Sequence, residues 1–260
     1  MNIHKIFKIY SITLLLLSLS FIQIAFSEEK NAQKDQPKLW YVSLGYGIAL
    51  KNNIRKDNNY SGGHADVLFS HIPLVQVALG PIILGAQGLS ANFIGNREIA
   101  GYLNINRAGD RYYSSGMESR KDSWFFGAGL KFHKLNFLLV RDINGRSHGI
   151  KFTSQYVAMY PISKNIFTRS SAGLECYDKS FAEYYYGVRS NEISSTRFEY
   201  HPNSYCLPTM SFFPGYKYNE EINVLVGASL KILSNAVHAS PTTDGSWLET
   251  ALIIGASSKF

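Results

Sequence analysis

The sequence has no long apolar run beyond its first 27 residues, which limits how the chain can enter a membrane. No later stretch reaches the roughly 18 consecutive apolar residues expected of a membrane-spanning helix. Basic clusters are lacking too, because the formal net charge of +7 is scattered along the chain without a block of like charges. Helical membrane spans and a nucleic-acid-binding arm are therefore both excluded.

Catalytic and metal-binding spacings are also missing. No two histidines have the spacing that gathers zinc ligands on one element, and there is no Gly-x-Ser-x-Gly elbow. The dispersed histidines are His64, His71, His133, His148, His201 and His238. Ser147 and His148 are direct neighbours, and adjacent strand residues point to opposite faces. We predict that the protein is not an enzyme and holds no metal or cofactor, although barrel lipases that assemble a triad from distant strands escape this test.

Cysteine is scarce, with two in the chain. Cys176 and Cys206 flank a long polar loop and would be oxidised, or open to oxidation, in an exported protein. A bridge would close a loop of about 30 residues and contribute about 3 kcal/mol by restricting the unfolded chain. Neighbouring strands do not by themselves guarantee the required Cβ separation, so a disulfide and two free thiols both remain open.

The first residues have the features of an export signal. Lys5 and Lys8 form a basic start, an apolar run follows from Ile12 to Phe26, and small residues surround Ser27 as a signal peptidase requires. The run, at roughly 15 residues, is shorter than the ~20 of a membrane anchor. We predict a signal peptide in residues 1–27 with cleavage after Ser27, a flexible periplasmic tail in residues 28–38 and one domain in residues 39–260.

From residue 40 onward the apolar pattern has a period of two, which is typical of strands with one apolar face. Trp40, Leu44 and Tyr46 alternate with Ser43 and Gly45. The same alternation recurs at 124–132, 135–142, 150–158, 222–232 and 249–260. Together with the export signal and 33 tyrosines and phenylalanines, counted as 17 plus 16, it predicts an all-β fold, a single-chain antiparallel transmembrane β-barrel with aromatic girdles.

The last residue, Phe260, supports this location. Barrels of the Gram-negative outer membrane commonly end on a strand whose final phenylalanine is recognised by the barrel-assembly machinery. We therefore expect Phe260 to act as an assembly signal and the protein to lie in the cell outer membrane, in contact with outer-membrane lipid and not with nucleic acid.

Connection lengths indicate the strand number and orientation. Short turns near 133–134, 161–165 and 219–221 alternate with long loops near 51–62, 106–122, 178–203 and 234–248, and short turns are typical of the periplasmic end. Residues 64–90 are ambiguous, because prolines and glycines interrupt the pattern and one or two strands fit between Val75 and Gln87. An even number is needed for both termini to be periplasmic, so we favour twelve strands over ten.

Lysines occur on the face of the strands that the alternation assigns to the lumen. They are Lys131, Lys151, Lys231 and Lys259. They would attract anions if the lumen were an open pore, or pair with Asp142, Glu175 or Glu249 if the barrel is plugged. We favour pairing, because twelve strands enclose less space than the sixteen or so of open porins and the long loops would constrict it.

One segment carries a more specific pattern. The string Glu183, Tyr184, Tyr185, Tyr186, Gly187 and Val188 is followed by Ser240 and Pro241 and then by a last strand ending in Phe260. With the glycines of the first strand and the Ser147-His148-Gly149 segment, it resembles the MltA-interacting protein (MipA/OmpV) family over the whole chain after the signal. One departure is Ser258, which stands where the family usually has an aromatic residue.

The resemblance implies a barrel that acts as a scaffold. The founding member resembles an adaptor that joins a lytic murein transglycosylase to a bifunctional murein synthase, whereas others are surface antigens or adhesins. A small porin-like channel is the alternative suggested by the lysines. For the Tyr184–Val188 string we favour an aromatic interface belt and an inward-folded loop over a contact surface, with Gly187 in a turn of positive φ.

Overall fold

Twelve strands close an antiparallel barrel in the computed structural model, which describes residues 40–59, 66–86, 88–96 and 98–260. Each strand pairs with its neighbours in the chain, and β1 pairs with β12. The strands are β1 (Trp40–Asn52), β2 (Val67–Leu79), β3 (Ile82–Gly85), β4 (Gly88–Gly95), β5 (Ile99–Ala108), β6 (Ser123–Phe132), β7 (Leu135–Asp142), β8 (Ile150–Pro161), β9 (Ile166–Tyr177), β10 (Tyr205–Lys217), β11 (Ile222–Ile232) and β12 (Leu248–Lys259). The predictions of an all-β barrel and of twelve strands are confirmed.

Some predictions fall on residues that the structure does not describe. The signal peptide, the cleavage after Ser27 and the tail in residues 28–38 lie outside the described residues, as does His64. They stay predictions.

The barrel wall is bulky outside and mostly small or polar inside. In β1 the outward Leu44 and Tyr46 are exposed, whereas the inward Gly47 and Ala49 are buried. Large apolar side chains are likewise exposed around the wall, among them Phe69, Leu103, Phe126, Leu139, Leu174, Val226 and Ile254. A continuous apolar exterior of this kind is unfavourable in water and favourable against lipid tails.

The ambiguous residues 64–90 form two complete strands and the start of a third. β2 and β3 are joined at Gly80 and Pro81, where Gly80 has φ +56°. β3 has only four residues and pairs with β2 at three positions, Val77 to Leu79. The wall is therefore lower at the β3–β4 hairpin than elsewhere.

Long loops gather at one end of the barrel and short turns at the other. The long ones are residues 53–66, 109–122, 178–204 and 233–247, and they contain helix α1 (Lys179–Tyr186), a 3-10 turn (Ser190–Glu192) and helix α2 (Asn235–His238). Neither described helix has the length and hydropathy to cross a membrane. Phe260 lies at the short-turn end, where its N–H donates to the carbonyl of Val42 at 2.8 Å.

Candidate functional site

Helix α1 contains the three tyrosines of the string and lies inside the barrel at the end with the long loops. Asp178 caps the helix by accepting a hydrogen bond from the N–H of Phe181 at 3.0 Å. The helix ends at Gly187, whose N–H bonds the carbonyl of Glu183. Gly187 has φ −73°, so the predicted positive φ is wrong. Glycine is needed there for space, because a Cβ would lie 2.4 Å from that carbonyl oxygen.

A buried cluster joins the helix to the inner wall. Phe181 stacks between Tyr177 of β9 and Tyr185, with ring centroids 4.3 and 4.4 Å away. The cluster combines inward wall residues with residues of the long loops: Ile54, Phe125, Val140, Tyr177, Phe181, Ala182, Tyr185, Tyr186, Tyr205, Leu207, Leu233 and Val237. We call the parts of residues 53–59, 109–122, 178–204 and 233–247 that fold over this end the mouth plug. Burial of this apolar surface holds the mouth plug in the barrel.

Arg55 joins all four segments of the mouth plug. Its guanidinium donates to Asp110 at 3.0 Å, to Thr242 Oγ1 at 2.9 Å and to the carbonyl of Tyr185 at 2.9 Å. It also lies over the rings of Tyr112 and Tyr186, 5.0 and 4.2 Å from their centroids. Burial alone would lower the pKa of Arg55, but the nearby Tyr186 and Asp110 raise it, so the guanidinium stays charged.

A second buried charge pair lies nearer the loop tips. Arg120 donates to Glu192 Oε2 at 2.7 Å, and both side chains are 1% exposed. The carboxylate also accepts the N–H of Glu118 and of Arg189 at 3.0 and 3.1 Å. Burial works to raise the pKa of Glu192, but these hydrogen bonds, above all that of Arg120, lower it below its ordinary value. Arg197 donates to the Glu192 carbonyl at 2.9 Å and ties the 3-10 turn to the rest of its loop.

The two halves of the family pattern meet in the mouth plug. Ser240 Oγ donates to the carbonyl of Tyr186 at 2.7 Å and also contacts Thr242, the partner of Arg55. Pro241 lies between these two residues in the chain and is half-buried. Val188 is buried and forms an isolated bridge with Tyr200. The interpretation of the string as an aromatic interface belt is therefore wrong. Tyr185, Tyr186 and Val188 are buried against the neighbours of α1 and do not contact the membrane interface.

The inward lysines are engaged by carboxylates. Lys151 and Lys231 lie 3.5 and 3.1 Å from Glu175, one on each carboxylate oxygen. Lys51 lies 3.2 Å from Glu249 on the neighbouring strand. Three lysines thus surround two glutamates just inside the mouth plug.

Three of the residues considered for this network lie apart from it. Asp142 accepts hydrogen bonds from Ser123 and Ser147, so its expected pairing with a lysine is wrong. Lys131 is exposed near the short-turn end of β6, and Lys259 lies 5.1 Å from the ring centroid of Tyr41.

The two cysteines are joined across neighbouring strands. Cys176 of β9 stands opposite Cys206 of β10, and the structure contains a disulfide between them. Tyr177 and Tyr205, the next pair in register, point inward. Because side chains alternate along a strand, the disulfide lies on the outer face of the wall, at the base of the longest loop.

The surface above α1 combines polar turns with a shallow cavity. Across the described residues, no three His, Cys, Asp or Glu side chains are grouped as metal ligands. Ser147 donates to Asp142 within the β7–β8 loop, where it stabilises a turn and does not face His148 as a base. A shallow surface cavity of about 320 Å³ above α1 includes Arg146, His148, Glu183, Tyr184, Arg189 and His201 in its lining.

Several buried residues of the mouth plug could not be identified from the sequence pattern. Arg55, Asp110, Arg120 and Thr242 lie in polar loops, where there is no periodicity that would separate a buried charge from an exposed one. The only hint is the family pattern around Tyr186 and Ser240, because the Tyr186 ring lies under Arg55 and Ser240 contacts Thr242, a partner of Arg55.

A family model described as MltA-interacting protein MipA matches residues 52–260. A search of curated proteins finds no significant match.

Three solved structures that match the chain are distant from it. Neisserial surface protein A is 10% identical, with a TM-score of 0.27 over 86% of this chain and 98% of that one. A FadL homologue of Pseudomonas aeruginosa is 8% identical, with a TM-score of 0.35 over 85% and 89%. The outer membrane protein OprG of the same organism is 10% identical, with a TM-score of 0.23 over 85% and 95%. Similarities this distant carry no argument about function.

Proposed function

Because the chain belongs to the MltA-interacting protein (MipA) family, we propose that it is an outer-membrane barrel that binds murein-processing enzymes at its periplasmic end. The partners we propose are a lytic murein transglycosylase and a bifunctional murein synthase. The observation that carries the proposal is the asymmetry of the barrel. One end is filled by the mouth plug, whereas the other end has short turns with exposed side chains.

The short-turn end offers the chemistry of a docking surface. Ile162 and Tyr218 are 61% and 70% exposed, on the β8–β9 and β10–β11 turns. Charged side chains stand beside them, at Lys164, Glu220 and Glu221. Exposed aromatic and aliphatic residues within a polar surround are typical of interaction sites. We call the exposed parts of residues 162–165 and 218–221 the rim surface.

The lumen favours binding over transport. Lys51, Lys151 and Lys231 are already engaged by Glu175 and Glu249, and Arg55 ties the segments of the mouth plug together. A solute entering from the mouth would have to displace a buried apolar cluster. A transport pore is therefore the weaker proposal.

Affinity capture tests the proposal directly. Tagged protein, solubilised from membranes under conditions that preserve other envelope complexes, should recover a lytic transglycosylase or a murein synthase. The double variant Ile162→Asp, Tyr218→Ala should lower recovery about tenfold, which corresponds to a loss of about 1.4 kcal/mol. Phe198→Ala is the matched control, because Phe198 is 61% exposed but lies in the loop at the opposite end.

The outcomes separate the possibilities clearly. Recovery of neither enzyme with the native protein would contradict the proposal. An equal loss with the control variant would show that binding does not occur at the rim surface.

Adhesion is a second candidate, favoured by apolar side chains on the outside of the mouth plug. Ile193, Phe198 and Trp247 are all more than half exposed there. Replacing Ile193 and Phe198 by serine should reduce attachment of cells to a surface while the barrel still assembles. Unchanged attachment would remove this candidate.

A further inference from the structure

The barrel wall has a gap beside β2. β2 pairs with β1 along its whole length, but with β3 only from Val77 to Leu79. Among the described residues, no strand continues along the rest of that edge, because β4 pairs with β3 and β5, and β5 with β4 and β6. No described strand therefore pairs with the edge from Val67 to Gln76.

The gap is wide, and it reaches into the membrane. β2 and β5 are three places apart in the strand order, which corresponds to about 14 Å at the usual strand spacing. β4 has eight residues, so at a tilt of about 40° it rises about 20 Å, less than the ~25 Å of the apolar band of such barrels. The missing part of the wall thus faces the outer leaflet.

Proline marks the unpaired edge. Pro73 lies in the middle of it and has no N–H to offer a neighbouring strand. The two prolines within β10 also lie where pairing with β11 is missing. Pro208 precedes the first pair, at Thr209, and Pro214 falls in the interruption between Phe212 and Gly215. Pro73 also opposes the addition of a strand from another chain.

Three of the inward residues of β2 beside the gap are apolar, whereas the inward Ser70 and Gln76 are polar. Leu68, Ile72 and Leu74 point into the lumen, because they stand opposite the inward Lys51, Gly47 and Gly45. We call these three residues the β2 patch. Inward residues elsewhere on the wall are of both kinds: Ser171, whose hydroxyl bonds that of Ser211, is polar, whereas Leu225 is apolar. The outward Phe69 and Val75 are apolar as well, so large apolar side chains stand on both faces of β2.

Small residues leave room for the β2 patch on the lumen side. A Cβ at Gly255 would lie 2.7 Å from the Leu74 side chain, and one at Gly47 would lie 3.6 Å from it. Leu74 therefore packs over glycines of β12 and β1. The result is an apolar strip of lumen that borders an open edge.

We propose that the gap is a lateral portal through which the acyl chain of an outer-leaflet amphiphile reaches the β2 patch. The chain would pass over the β3–β4 hairpin, while the polar head group stays at the membrane surface. This inference goes beyond enzyme docking and depends only on the barrel lying in a membrane.

Fluorescence quenching from the lipid tests the portal. Both native cysteines are in the disulfide, so a single new cysteine can be labelled with bimane in bilayers containing doxyl-labelled phosphatidylcholine. The test sites are Ile72→Cys and Ser70→Cys, which point inward beside the gap. Val75→Cys points outward and reports lipid contact.

Leu225→Cys is the matched control. Ile72 and Leu225 have side chains of similar size and both point inward on one row of the wall. The row runs from Ile72 through Gly47 and Gly255 to Leu225. Leu225, however, lies on a strand paired along both edges.

Ile72 and Ser70 labels should be quenched severalfold more than the Leu225 label and nearly as much as the Val75 label. Quenching at Ile72 and Ser70 no greater than at Leu225 would overturn the portal. If the Ser70→Cys variant forms disulfide-linked dimers and the Ile72 label is not quenched, the edge of β2 is covered by a second copy of the protein and not by lipid. Absence of quenching at the Val75 label would also overturn the portal, because it would show that this part of the barrel is not in contact with lipid. The capture experiment at the rim surface does not depend on any of these results.

Discussion

At the scale of single residues, Arg55 explains how loops of unrelated sequence form one plug. Its side chain is 2% exposed, and its three hydrogen-bonded partners come from three different loops. A buried charge is costly unless every donor finds a partner. The arrangement therefore fixes the loops relative to one another.

Arg55→Ala should release the mouth plug. Removing one partner of a buried charged network costs about 3 kcal/mol or more, because the carboxylate and carbonyl left behind are unpaired. We expect rapid proteolysis within residues 178–204 in the folded barrel. Lys56→Ala is the control, because Lys56 is exposed and contributes its backbone N–H to Thr242. Equal protease resistance in the two variants would contradict the assigned role.

Glu192 should make the loop tips sensitive to acid. Its pKa is lowered in the folded state, so its contribution to stability is complete above the unfolded value of about 4.3 and declines as the pH falls below it. The contribution is lost once the pH passes below the lowered folded pKa. Hydrogen exchange of residues 114–120 should rise over this range.

Glu192→Gln is the variant that checks the cause. It should abolish the acid-dependent change while already weakening the Arg120 contact at neutral pH. If hydrogen exchange in this variant still rises with acid as it does in the native protein, a group other than Glu192 causes the change.

At the scale of elements, the two-residue period of apolar residues predicts those strands whose inward side chains are small or polar and whose outward side chains are apolar. β1, β6, β7, β8 and β11 fit it. β2 does not, because the β2 patch places large apolar residues on its inner face, and β3 is too short to show any period. The gap in the wall and the ambiguity in the sequence thus have the same physical cause.

Helix α1 was not predictable from periodicity either. Its eight residues include four aromatic ones, which favour strands by intrinsic propensity. Tertiary burial of Phe181, Tyr185 and Tyr186 overrides that preference. The N-cap Asp178 was the one local indication of a helix in the sequence.

The β9–β10 pair is the element that the disulfide constrains. Cys176→Ser with Cys206→Ser removes a link across 30 positions of sequence, and this should cost about 3 kcal/mol of unfolding free energy. Urea unfolding of the refolded barrel in lipid vesicles measures it. Peptide mapping without reductant provides the control, and recovery of both native thiols in alkylated form would show that no bridge had formed.

At the scale of the whole molecule, the plugged barrel should conduct poorly. We expect the native protein in planar bilayers to give no steady conductance above that of boiled controls. Replacing residues 180–203 by a short Gly-Ser linker removes the core of the mouth plug and should open a pore.

The opened pore should prefer anions. Lys51, Lys151 and Lys231 outnumber Glu175 and Glu249 around it, and the reversal potential in a salt gradient measures the preference. A steady conductance of the native protein would instead support the transport alternative.

The contacts of Arg55 have one further consequence, which concerns the order of assembly. Arg55 and Thr242 are separated by 187 positions, and contacts between such distant parts of a chain form late because a large loop must first be closed. The mouth can therefore become complete only after the first and last strands have met. A protease or antibody that detects the finished mouth would distinguish fully inserted barrels from stalled intermediates, without any probe of the strands themselves.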